Sequence, residues 1–190
     1  MLIFTLTNTD ERKNDSSVSA CILSLAGGDR SRLAELYELT SVQIYSFALS
    51  MLKNSHDAED VTHDTYMSII ASAESYENRG KPLAWIFTIT RNLCLMKLRQ
   101  RNKNADYCEE NWEDTLAVAN GLSPEDTAIL RVCMESLTEE ELRIVVLHAV
   151  SGLKHREIAS LLSLPLPTVL SKYSRSIKKL KKMLADGGTE

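Results

Sequence analysis

Glycine and proline are scarce, seven and four among 190 residues, which excludes a collagenous, low-complexity or turn-dominated chain. Cysteine is sparse too. Cys21, Cys94, Cys108 and Cys133 stand far apart with no C-x-x-C pair, so neither a disulfide framework nor a thiolate metal centre is expected. His56 and His63 lie two turns apart on one expected helix, too far to share an ion, and no metal site or other cofactor is expected. No apolar run approaches the roughly 20 residues that cross a bilayer. The opening Met1-Leu2-Ile3-Phe4 turns polar at once, without the apolar centre of a secretion signal. These absences point to a cytoplasmic protein without membrane insertion. There is no glycine-rich phosphate loop and no nucleophile paired with a base, so catalysis is not expected.

What remains favours helix. Leu, Ala, Ser, Lys and Glu dominate, 44% of residues are hydrophobic, and no strand-like alternation or internal repeat appears. The fold class expected is all-α, with two helical domains joined by a flexible acidic linker. Residues 1–17 read as a disordered leader, 18–105 as the first domain, 106–123 as the linker and 124–186 as the second domain. Within the first domain, a short apolar face ends at Gly27-Gly28. A long amphipathic helix follows over about 30–53, with Leu33, Leu36, Tyr37, Ile44 and Phe47 inside. A second spans about 56–76, with acids in its first turns, and a third runs from Pro82 to about Lys103. In the second domain a helix passes through Ile129, Leu130, Val132 and Met134. Thr138 and Glu141 then form a capping box, Gly152 ends that helix, a short helix spans about 154–162, and the last helix spans about 166–184. A long helix, a short helix, a tight turn at Ser163-Leu164-Pro165 and a basic last helix make a helix-turn-helix pattern.

The net charge of −4 looks wrong for a nucleic-acid binder until its distribution is read. From Asn78 to Ala105 there are seven basic residues and no acid; from His148 to Leu184 there are eight against Glu157 alone. Between the blocks, Asp106 to Asp126 carries seven acids and no Lys or Arg. Two cationic faces on an anionic tether suggest two separate contacts with a polyanion.

Two groups of residues then carry a family resemblance. The first is Asp57-Ala58-Glu59-Asp60 with Tyr66, followed by Ala84-Trp85-Ile86-Phe87 and Arg91-Asn92-Leu93. The second is Leu137-Thr138-Glu139, Gly152-Leu153, Glu157-Ile158-Ala159, Pro165, Thr168-Val169 and Ser171. In this order, from about Ile22 to Leu184, the chain resembles the extracytoplasmic-function (ECF) class of bacterial RNA polymerase sigma factors.

The resemblance implies a region-two domain that binds core polymerase and melts the minus-ten element, and a region-four domain that reads the minus-thirty-five element. Its implied partners are core RNA polymerase (the clamp of the beta-prime subunit and the beta flap), promoter DNA and an anti-sigma factor. It assigns polymerase binding to Asp57, Asp60, His63 and Asp64. Minus-ten DNA falls to Asn78, Arg79, Arg91, Asn92, Lys97, Arg99 and Arg101, where cations attract backbone and amides meet bases. Minus-thirty-five DNA falls to Thr168, Ser171, Lys172, Arg175, Lys178 and Lys179. Tyr76 reads equally as a base-stacking ring or as core, and Trp85 reads as core. Departures from the family are His63 for glutamine, Lys154 for a capping Ser or Thr, Ser163 for glycine, and Leu170 where a basic residue is usual. A helix-turn-helix repressor or activator acting without polymerase, and a sigma mimic that titrates an anti-sigma factor, are the alternatives.

Overall fold

The computed structural model describes residues 10–101 and 136–186, and among them there are seven α-helices and no strand. The helices are α1 (Asp10–Ala26), α2 (Leu33–Leu52), α3 (Ser55–Ser72), α4 (Pro82–Arg101), α5 (Glu139–Ala149), α6 (His155–Leu162) and α7 (Leu166–Asp186). Short 3-10 turns precede α2 (Arg30–Arg32) and follow α3 (Ala73–Ser75). Lys103, the acidic linker and the helix expected through Ile129 to Met134 lie outside the described residues.

The all-α expectation holds. The leader does not end at residue 17, however, because α1 begins at Asp10. Its polar first half hid the helix, and among its described side chains Val18, Cys21, Ile22 and Leu25 supply the apolar buried face, at three- and four-residue spacing, with Ser19 buried beside them. That face packs with Leu36, Ile44, Tyr66, Ile69 and Ile86 in one core cluster.

Helix ends follow local chemistry. Asn54 caps α3, its side-chain oxygen accepting the Asp57 N–H at 2.8 Å. The capping box of α5 is complete: Glu141 N–H donates to Thr138 Oγ1 at 3.3 Å, and Thr138 N–H donates to the Glu141 carboxylate at 3.1 Å. At α6, Lys154 N–H donates to Glu157 Oε2 at 2.9 Å, but the lysine side chain offers no acceptor in return. Ser163 closes α6 in the left-handed region (φ 57°), a conformation glycine adopts more readily.

The second core cluster explains how the two lobes sit. Residues 46–52 of α2 are buried without interruption, so this half of the helix needs cover on every side. Phe47 meets Phe87 of α4 edge-on, ring centroids 5.4 Å apart, and the same cluster continues into Leu142, Val146 and Leu147 of α5 and Val169 of α7. Helix α2 packs on α5, and α4 on α6. Ion pairs Lys53–Glu139 (3.1 Å) and Lys81–Glu157 (3.7 Å) bridge the seam. The sequence describes two lobes on a leash. The structure has them sharing apolar surface.

Candidate nucleic-acid interface

The first basic block divides once folded. Lys97 turns back onto α3, its ammonium 3.1 Å from Asp57 Oδ1 and 2.9 Å from Asp60 Oδ2. Arg101 lies 3.8 Å from the other Asp57 oxygen and donates to the Leu52 carbonyl at 2.6 Å. The Lys97 hydrogen bond holds the Asp60 carboxyl below the usual carboxylate range and raises Lys97 itself. Asp57, Asp60, Lys97 and Arg101 therefore form a charge network that fastens α3 to α4. Residues assigned from sequence to two different partners contact each other. Arg99 and Asn92 are exposed on α4, while half-buried Arg91 lines a cleft between the lobes beside Glu140 and Arg143.

The loop before α4 is organised by its own polar groups. Asn78 Oδ1 accepts from Gly80 N–H at 3.2 Å and from Ser19 Oγ at 3.4 Å, and exposed Arg79 pairs with Glu77. Gly80 has φ 68°, a turn conformation that a side chain would strain. Tyr76 resolves to core: it is buried, shares a hydrogen bond with Ser19 Oγ at 3.2 Å, and packs on Trp85 at 4.9 Å.

On α3, His63 and Asp64 are exposed, together with Glu59 and Met67. Beside them an open groove of about 470 Å³ runs between α2 and α3, lined by Tyr37, Val42, Tyr45, His63, Met67 and Ile70 among others. Tyr37, read from sequence as core, is 52% exposed, and Met67 is 55% exposed. Periodicity located these helices, but it does not say which apolar residues their neighbours leave uncovered.

Helix α7 keeps Val169 and Ser176 buried and turns Pro167, Leu170, Ser171, Ser174, Arg175 and Lys178 outward at helical spacing. Of the residues assigned there, Ser171, Arg175, Lys178 and Lys179 are exposed. Thr168 is half-buried, and Lys172 is drawn to Glu140 at 2.6 Å. Lys179 contacts the Ser136 carbonyl. Ser174 was missed as a member of this face, although counting by 3.6 from Ser171 would have found it; Leu170, noted from sequence for replacing a basic residue, lies on the same face.

Three rings seat α7 against its neighbours. His148 of α5, His155 of α6 and Tyr173 of α7 pack mutually, with centroids 4.3, 4.7 and 4.8 Å apart. His148 Nδ1 lies 2.8 Å from the Leu153 carbonyl, which can only accept, so that nitrogen carries the proton. His155 Nε2 is buried without a hydrogen-bond partner, and burial, then His148, pushes its pKa down. Among the described residues there is no cluster of three or more His, Cys, Asp or Glu able to hold a metal ion, and no helix long and apolar enough to cross a membrane.

Comparison with known proteins places the same two lobes in the same order. The Sigma-70 region 2 model matches residues 36–104, and the Sigma-70, region 4 model matches residues 127–180. The ECF RNA polymerase sigma factor SigE of Mycolicibacterium smegmatis is 30% identical over 176 residues, covering 87% of this chain and 67% of that protein. The ECF RNA polymerase sigma factor SigW of Bacillus subtilis is 26% identical over 174 residues, covering 84% and 92% respectively. Among solved structures, CnrH in complex with the cytosolic domain of CnrY superposes with a TM-score of 0.62 at 18% identity, covering 90% of this chain and 98% of that one. The sigma factor RpoE bound to the anti-sigma factor NepR from Bartonella quintana gives a TM-score of 0.63 at 21% identity, covering 80% and 96%. Both share the fold.

Proposed function

The chain belongs to the ECF RNA polymerase sigma factors, and from that premise we propose how its surfaces divide the work of directing core polymerase to promoters and opening them. The observation that carries the reading is the presence of both lobes in one chain, each with cations on an outward helix face. A repressor needs only the second lobe, and the acidic face of α3 would then be idle.

Core polymerase docks on the exposed side of α3, through Glu59, His63, Asp64 and Met67, with the α2–α3 groove accepting apolar side chains from the clamp. Exposed Tyr37, Val42 and Met67 beside acids support this, because apolar patches rimmed by charge mark protein contacts. Asp57 and Asp60 act indirectly, by holding α3 on α4. Arg99 and Asn92, with the Asn78–Arg79 loop, receive the separated minus-ten strand: the cation attracts phosphate and the amide meets a base. Helix α7 enters the major groove at minus-thirty-five, where Ser171 reads bases and Arg175, Lys178 and Lys179 grip phosphates. The protein binds and positions rather than catalyses. It works with polymerase in the cytoplasm, and an anti-sigma factor, the partner named for RpoE, is its expected inhibitor.

Run-off transcription with purified core polymerase tests the reading. The full chain should confer initiation at a defined subset of promoters from a genomic library. Co-purification with core should be lost in His63→Ala/Asp64→Arg/Met67→Asp. A chain that never joins core, at low or high salt, refutes the assignment.

A further inference from the structure

We infer that Leu170 is a base-reading residue, whose exposed side chain seats against the 5-methyl group of a thymine in the upstream promoter element. The inference rests on the major-groove reading of α7.

Leu170 is the fifth residue of α7, in the N-terminal part of a recognition helix that meets base edges. It is 46% exposed and belongs to neither core cluster, since Val169 makes the inward contact at this level of the helix. A lone exposed leucine is ordinary on a protein surface. The surroundings of this one are not. Pro167, Ser171 and Ser174 flank it on the outward row, and Arg175, Lys178 and Lys179 follow without an acidic residue before Asp186. That charge pattern commits the face to a polyanion. Cations on the later turns hold phosphates, which leaves the first turns over the bases.

The chemistry then narrows the target. A leucine donates and accepts nothing, so it cannot select guanine, adenine or cytosine by hydrogen bonding. In the major groove the apolar feature of a base edge is the thymine methyl. Leu170 therefore selects a methyl group, and removing that group from DNA should cost about what one buried methylene is worth, roughly fourfold in affinity.

The test uses holoenzyme assembled from the full chain and core polymerase. An upstream element is first enriched from a randomised duplex library, and each thymine in it is then replaced singly by deoxyuridine. One replacement should weaken wild-type binding about fourfold and leave Leu170→Ala holoenzyme unaffected. A second variant, Leu170→Lys, should shift the preference at that same position away from thymine while the other positions keep theirs. The inference is overturned if no replacement weakens wild type, or if Leu170→Ala loses affinity equally on thymine and uracil duplexes. Holoenzyme that enriches no upstream element overturns the promoter reading, and this inference with it.

Discussion

Lys53 and Glu139 clasp the two lobes: the ammonium ending α2 lies 3.1 Å from the carboxylate opening α5, over a shared apolar core. The Lys53 hydrogen bond holds the Glu139 carboxyl below its usual range. Minus-ten and minus-thirty-five elements are about 25 base pairs apart at about 3.4 Å each, so lobes in contact cannot occupy both. On the proposed division of promoter contacts, initiation requires them to part. Lys53→Glu replaces attraction by repulsion at a half-exposed pair worth under about 1 kcal/mol, enough to shift a closed–open balance several-fold. Small-angle scattering at low salt should show a larger radius of gyration for the variant, with the difference shrinking as salt screens the pair. Identical profiles would count against a clasp.

The division of the first basic block predicts opposite phenotypes for neighbouring cations. Lys97→Met leaves Asp57, buried at 8% exposure, without its nearest cation and should cost about 2 kcal/mol in urea unfolding. Arg99→Ala should leave stability within about 0.5 kcal/mol and instead slow promoter opening. Exchange of those two outcomes would reverse the assignment.

The Asp60 carboxyl, its pKa lowered by Lys97, contributes stability above the ordinary carboxylate range that is lost as pH falls through its folded value. The His155 effect arrives earlier in an acid titration. Its folded pKa lies below the usual 6.5, so neutral His155 favours the fold above that pH, and the contribution is lost on acidification. Among the described residues, Glu139, Glu140, Glu141 and Glu157 are engaged by Lys53, Lys172, Thr138 and Lys154 or Lys81, and none of them bonds His155. Thermal melts of the full chain should drop between pH 7 and 5.5, with faster hydrogen exchange in α7. In His155→Phe that slope should flatten. An equal slope in both proteins would remove His155 as its source.

Two departures from the family pattern have a stability sign. Ser163→Gly relieves a positive φ and should stabilise by roughly 0.5–1 kcal/mol. Lys154→Thr supplies the missing side-chain acceptor at the start of α6 and should add about 1 kcal/mol. Denaturant midpoints of the single and double variants check both, and near-additivity is expected because the sites lie at opposite ends of the helix.

Much of this architecture was legible beforehand because it is local. Pro82 opening α4, Asn54 capping α3 and the Thr138–Glu141 box each follow from chemistry within four residues. What escaped was tertiary. Nothing in the spacing of Asp57, Asp60 and Lys97 announces that residues 37 to 40 positions apart neutralise each other. The amphipathic reading of α2 did not show that residues 46–52 are buried without interruption, nor that α5 covers them. The start of α1 went unread because its first eight residues are all polar, and only the apolar face farther along, packed onto α2, accounts for the helix.

Ser19 ties α1 to the Tyr76 hydroxyl and the Asn78 amide, and α1 lies upstream of the matched span that starts at residue 36. This makes α1 a handle on the loop to which the proposed function gives the opened strand. A ligand that tugged that helix even slightly would swing Asn78 out of register, silencing promoter opening without touching DNA or blocking the polymerase dock.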